Sequence, residues 1–230
     1  MTLTHRIHLL LLALILGLAT SSCRQDGVDG PVDMTFTEIV TFGGSTDSGS
    51  SFSFRQVDDS PLITLTSTQK FASDDLKAGD RMLIAYQNES NSAYTSGPID
   101  LIGAAPITTG SVATTWKDDY DIWDRDKVYL YSAWRSGEYI NIHVRLTYSA
   151  DPRIFTIAAD PATLSSPWPE LYLVHVMKEP ITNHDRAYYA SFSIAEIWDN
   201  PATQGVKLHV ANSNLDKQIF TFPKATSTRP

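Results

Sequence analysis

The chain carries one cysteine in 230 residues, so it can close no disulfide within itself. A lone cysteine in an exported chain is a free thiol or a modified one, and its position decides between them. Positive charge is also scarce, with 18 Lys and Arg against 26 Asp and Glu and a net charge of −8. A nucleic-acid binder needs a basic stripe to displace counterions from phosphate, and this balance argues against one. It argues equally against an electrostatic patch for anionic lipid headgroups. Long apolar runs are missing too. The Leu9–Leu18 run is far below the roughly 20 residues a helix needs to span a bilayer. No G-x-S-x-G elbow and no H-x-H or H-E-x-x-H spacing occurs, which removes the usual sequence marks of a serine hydrolase or a zinc enzyme. No repeat of solenoid period is visible. Core-forming residues are not scarce: 42% of the chain is hydrophobic and 19% charged, a balance that supports a packed interior.

Residues 1–22 have the three-part layout of a secretory signal. Arg6, with His5 and His8, makes a weakly positive start; the Leu9–Leu18 run follows; Ala19, Thr20, Ser21 and Ser22 are small; then comes Cys23. A cysteine directly after small residues at the end of the apolar run reads as a lipobox. Its thiol is acylated and Cys23 becomes the new N-terminus, held at a membrane by several acyl chains of the palmitate class, enough for stable anchoring. Thr20 stands where such sites usually carry Leu or Val. The alternative is ordinary cleavage near Ala19 with Cys23 left free. Residues 24–33 are polar, acidic and Gly-containing, and are predicted to be a flexible tether. Their acids, Asp26 and Asp29, also resemble the surface-export signal of Bacteroidetes lipoproteins.

From Met34 onward the apolar residues follow a period of two, the mark of strands. Strands are predicted at Met34–Phe42, from Phe52, at Pro61–Thr68, Met82–Tyr86, Ile99–Ile102 and Pro106–Val112, with residues 43–51 (GGSTDSGSS) as a loop. Leu76–Arg81 is predicted to be a turn, and Ser73–Leu76 is the one helix candidate, with Ser73 as its cap. In the second half, Val128–Trp134 and Tyr139–Thr147 form a hairpin around Gly137. Ile140, Ile142, Val144 and Leu146 share one face of the second strand, and Asn141, His143, Arg145 and Thr147 the other. Further strands are predicted at Arg153–Ala158, Leu171–Met177, Ala187–Ile197, Val206–Ala211 and Gln218–Phe222, with a turn at Trp198–Pro201. This spacing suggests a sandwich of about seven strands.

Four features together resemble the NigD-like lipoproteins of Bacteroidetes. They are the lipidation site at Cys23, the Leu76–Arg81 turn running into Met82–Tyr86, the Asp124-Arg125-Asp126 acids before a strand, and the segment Gly137–Ile142. The resemblance covers the whole mature chain. It implies an all-β fold, with a small OB-like barrel over 34–113 and then a junction and an immunoglobulin-like β-sandwich over 114–230. The family's name comes from a bacteriocin operon, which implies an immunity or accessory role. It implies no enzymatic activity and no catalytic residues.

The densest chemistry lies in the segment 114–126. Trp116, Tyr120 and Trp123 alternate there with acids that include Asp121 and Asp124. Flat rings stack on sugar faces and carboxylates suit hard cations, so these five residues are the candidate ligand-binding set. The competing reading places the rings in the gap between two domains, with the acids facing water. His143, His175 and His209 sit on predicted strands and could hold Zn²⁺ only if the fold brought them together; scattered histidines are the plainer expectation. His184-Asp185 is a local pair without a nucleophile. No metal, cofactor or catalysis is expected. The chain is read as a non-catalytic lipoprotein of the cell envelope, at the outer membrane, that binds a protein or peptide. The other reading is a glycan-binding lipoprotein beside a nutrient importer.

Overall fold

The computed structural model describes residues 34–71, 76–149, 153–177 and 184–224. The leader, Cys23, the tether and the Ser73–Leu76 helix candidate lie wholly or mostly outside them. The described chain is all-β, as expected, and is built from three sheets. None of its helices is long and apolar enough to cross a membrane.

The first sheet holds β1 (Phe36–Thr46), β2 (Gly49–Phe54), β3 (Ile63–Ser67), β4 (Arg81–Gln87), β5 (Gly97–Pro98) and β6 (Asp100–Pro106). Its order is β5-β3-β2-β1-β4-β6. One face of each strand but β5 contributes to a single buried cluster that includes Val40, Phe42, Phe52, Leu65, Ile84 and Tyr86. The two edge strands are separated in sequence only by Ile99, so the sheet is rolled and its edges come near one another there. It does not close. β5 is two residues long and ends in Pro98, which has no N–H to give to a ladder. The closed small barrel expected from the sequence is thus an open, rolled sheet. The GGSTDSGSS stretch is not a loop either. β1 runs through it to Thr46, with a bulge between Phe42 and Gly44, and returns as β2 after two residues. The turn depends on Gly49, at φ +130°, where a Cβ would sit 1.9 Å from the Ser67 carbonyl oxygen.

After Ile107 the chain leaves this sheet. β7 (Thr108–Ser111) pairs in parallel with β12 (Asp185–Ser193), next to β9 (Tyr139–Thr147) and β8 (Tyr129–Ser136), giving the order β7-β12-β9-β8. A second four-stranded sheet has the order β10 (Ile154–Ala159), β11 (Glu170–Val176), β13 (Gly205–His209) and β14 (Ile219–Pro223). Both sheets bury their inner faces in one core. Ile140, Ile142, Val144 and Leu146 come from one side and Ile157, Leu171, Leu173, Val206 and Leu208 from the other. The β8–β9 hairpin turns at Gly137, at φ +59°, and its alternation is the one read from the sequence. The strand expected to run to Ile197 stops at Ser193. Ile194, Ile197 and Trp198, at i, i+3 and i+4, instead bury one face of a helical turn at Ala195–Trp198.

The rolled sheet docks on the far face of β9 and β12 through two buried guanidinium groups. Arg81 at the start of β4 donates to Ser191 Oγ (3.0 Å) and Asn141 Oδ1 (3.1 Å). Arg135 in β8 grips Asp59 and donates to the Gly137 carbonyl. Main-chain bonds between Asp58 and residues 135 and 137, each 2.7 Å, stitch the same seam.

Candidate functional site

The aromatic-acidic segment does not fill the gap between the rolled sheet and the sandwich. It lies across the outer face of the β10-β11-β13-β14 sheet. Outward positions of β10 and β11 are apolar there, and Tyr120 is buried against Ala158, Val174 and Val176. A single 3-10 turn at Asp118–Tyr120 presents that ring to the sheet. The segment is pinned at its end by Asp126. Its Oδ2 accepts from the Met177 backbone N–H (2.8 Å) and from Arg125 (2.8 Å). Burial raises the Asp126 pKa, but the Arg125 and Met177 bonds outweigh it and hold the carboxyl below its usual value.

Parallel pairing of β11 with β13 sets Tyr172 opposite His209 and Glu170 opposite Lys207. The Tyr172 and His209 rings stack at 4.4 Å, and Glu170 accepts from Lys207 Nζ (3.2 Å) and pairs with His209 Nε2 (3.0 Å). Trp116 and Trp123 meet the Tyr172 ring edge-on at 5.5 and 5.0 Å. Between these rings and the turn at Asp160–Pro161 lies an open groove of about 580 Å³, lined by Trp116, Asp121, Trp123, Asp160, Pro161 and Tyr172. Among the described residues no cationic side chain lines it.

The five candidate residues therefore part company. Trp116 and Trp123 are half-buried and line the groove, and Asp121 lines it while accepting from Trp116 Nε1 at 2.7 Å. Tyr120 lies beneath as support. Asp124 is exposed and does not line it. Tyr172 and Asp160 were not among the candidates, and His209 was considered only as a zinc ligand. Tyr172 carried one usable sign: an aromatic between Leu171 and Leu173 must face away from the core. Nothing local marked Asp160, which also caps a 3-10 turn by accepting from the Ala162 N–H at 2.9 Å. Both groove carboxylates thus have positional roles.

The three histidines do not converge. His143 is stacked at 4.1 Å on Tyr189, with Tyr131 on its other side at 4.5 Å. His175 is buried and accepts from Arg153 at Nε2 (3.2 Å), so its proton is on Nδ1, which donates to the Asp126 carbonyl (2.8 Å). Burial lowers the pKa of both. His184 and Asp185 also separate: His184 accepts from Arg186 and Asp185 from Thr147. Among the described residues no three His, Cys, Asp or Glu side chains are grouped to hold a metal ion.

This rolled sheet and paired-sheet body recurs in solved structures. A NigD-like immunity protein from Bacteroides caccae matches with a TM-score of 0.55 at 17% identity, over 84% of this chain and 93% of that one. The chain has the NigD-like fold. A DUF1344 protein of unknown function from Bacteroides vulgatus shares this fold at a TM-score of 0.61 and 18% identity, covering 85% and 93% of the two chains. A candidate lipoprotein from Bacteroides fragilis does so at 0.54 and 13% identity, covering 84% and 99%. No family model and no curated protein matches the sequence.

Proposed function

We propose that this chain is a non-catalytic lipoprotein of the cell envelope that binds carbohydrate in the Trp116–Trp123–Tyr172 groove. The observation that carries this reading is an open groove with two half-exposed indoles, two carboxylates and no cation on its walls. Indole faces cover the C–H face of a sugar, and Asp121 and Asp160 accept from its hydroxyls. Membrane attachment rests on the leader and Cys23, and a candidate lipoprotein with the NigD-like fold supports it. In this reading the rolled sheet is an OB-type module left open, and the paired sheets are an immunoglobulin-like sandwich.

Glycan-array binding of wild type against Trp123→Ala tests it. A glycan retained by wild type and lost by the variant is expected; no glycan bound by wild type refutes the groove reading. The same array samples, assayed for released sugar, expose any hydrolysis. Acyl attachment is tested by labelled palmitate, which should enter wild type and not Cys23→Ser.

A second reading is favoured by one finding, the fold shared with a NigD-like immunity protein. There the groove is a contact face for a protein or peptide. Deleting the gene should then change sensitivity to a co-encoded bacteriocin, and unchanged sensitivity counts against it.

A further inference from the structure

The seam between the rolled sheet and the sandwich holds two buried arginines with opposite fates. Arg135 is 1% exposed and is neutralised by Asp58 and Asp59, at 3.3 and 2.8 Å. Arg81 is 7% exposed and has no carboxylate partner among the described residues. Its hydrogen bonds go to neutral oxygens: Ser191 Oγ (3.0 Å), Thr41 Oγ1 (3.0 Å) and Asn141 Oδ1 (3.1 Å). Its guanidinium lies 4.4 Å from the centre of the Tyr139 ring. Burial lowers its pKa to about 10, only partly offset by the neighbouring Tyr139 and Glu138. Three of the five N–H bonds are thereby used, leaving one on each terminal nitrogen for another acceptor.

Arg81 also lines a cavity of about 290 Å³ in this seam. Arg55 stands on the same wall and donates to the Ser60 carbonyl. Ser53 and Thr41 add hydroxyls to the wall. Among the described residues one acid lines the cavity, Glu138; it is exposed, hydrogen-bonds Tyr139, and acts on Arg81 through its charge without a direct ion pair. A desolvated cation normally has an anion beside it. Forked guanidinium donors and hydroxyls fit the planar or tetrahedral oxygens of a carboxylate, sulfate or phosphate.

We propose that the seam cavity at Arg81 and Arg55 is an oxyanion-binding site, separate from the aromatic groove, that takes an acidic group of a ligand. It does not depend on what the groove binds.

The test uses purified full-length chain in detergent, titrated calorimetrically with inorganic phosphate, sulfate and acetate at ionic strength matched by NaCl. Saturable binding of at least one oxyanion is expected. Preference for acetate assigns a carboxylate ligand, and preference for phosphate or sulfate assigns a tetrahedral one. Glu138→Gln removes a repelling charge from an exposed position and should bind roughly threefold tighter or more. Arg81→Lys keeps the charge but loses the fork and part of the seam bonding, and should bind several-fold more weakly at a lowered melting temperature. Arg55→Gln, which loses the Ser60 carbonyl bond and a weak attraction to Asp59 but leaves the Arg135–Asp59 pair in place, should weaken binding without unfolding the seam. The proposal is overturned if all three oxyanions behave as chloride does. It is equally overturned if Glu138→Gln and Arg55→Gln both bind as wild type.

Discussion

Arg135 and Asp59 form a two-pronged ion pair across the seam, Nη1 to Oδ1 at 2.9 Å and Nη2 to Oδ2 at 2.8 Å. The guanidinium is buried and lies 4.4 Å from the Trp198 ring centre, while Asp59 is half-exposed. Its Nε–H is buried without an acceptor. Asp59→Ala leaves this cation with Asp58 alone. It should lower stability by about 1–3 kcal/mol in urea denaturation, the range for a hydrogen bond lost by a charged group. Arg135→Met should cost less than the loss of a buried charge partner suggests, because an apolar replacement leaves no buried cation behind.

The same pair sets an acid limit. The Arg135 hydrogen bond holds the Asp59 carboxyl below its ordinary value. A depressed folded pKa means its contribution is present above the ordinary carboxylate range and is lost as pH falls through the folded value. Urea midpoints of wild type and Asp59→Asn should therefore differ at pH 6 and converge as the pH falls below about 4. A constant difference down to pH 2 would contradict the pairing.

Glu38 predicts the opposite slope. It alternates with Phe36, Val40 and Phe42, on the side of β1 that faces the rolled sheet's core, and burial raises its pKa to about 7. A raised folded pKa for an acid means full stability below its unfolded value and loss as pH rises towards 7. Glu38→Gln should match wild type near pH 4.5 and be the more stable protein at pH 8. Thermal melts at the two pH values check it, and equal melting temperatures at pH 8 would refute it.

Tyr120 and Trp123 stand three residues apart, joined by a 3.0 Å turn bond, yet the structure assigns them different work. Tyr120→Ala removes a buried ring and should cost about 3–5 kcal/mol. Trp123→Ala, at a half-buried ring on the groove wall, should cost markedly less stability while reducing sugar affinity roughly tenfold. Chemical denaturation separates the two, and equal losses of stability would erase the distinction between support and wall.

Gly205 predicts a steric effect. A Cβ there would sit 2.3 Å from the Trp168 ring and 2.6 Å from the Phe222 carbonyl oxygen. Gly205→Ala must displace an indole or separate β13 from β14, and should lower stability by about 1–3 kcal/mol, a normal overpacking cost. An unchanged urea midpoint would show that Trp168 moves freely.

Much of the body was legible along the chain because a strand that buries one face must alternate. Ile140, Ile142, Val144 and Leu146 therefore identify β9 and its inner side from spacing alone. The hairpin at Gly137 was equally local, since the turn needs a positive φ. Two local readings failed for reasons that spacing cannot express. Residues 43–51 look like a loop by composition, but strand partners on both sides draw them into β1 and β2. Ile194–Trp198 looks strand-like in a run of apolar residues, but a core at i, i+3 and i+4 winds it into a helical turn.

By itself the sequence determined the all-β class, most strands and the rings and acids from which a site could be made. Only tertiary structure decided which rings act together. Tyr172 and His209 are neighbours because β11 and β13 pair in parallel, a long-range choice with no local sign. Trp116 and Trp123 face that pair because Tyr120 finds its apolar cover on the outer sheet face. Arg81 and Arg135 read alike as letters; they differ because docking places two carboxylates within ion-pair distance of Arg135, whereas the hydrogen bonds of Arg81 go to amide and hydroxyl oxygens.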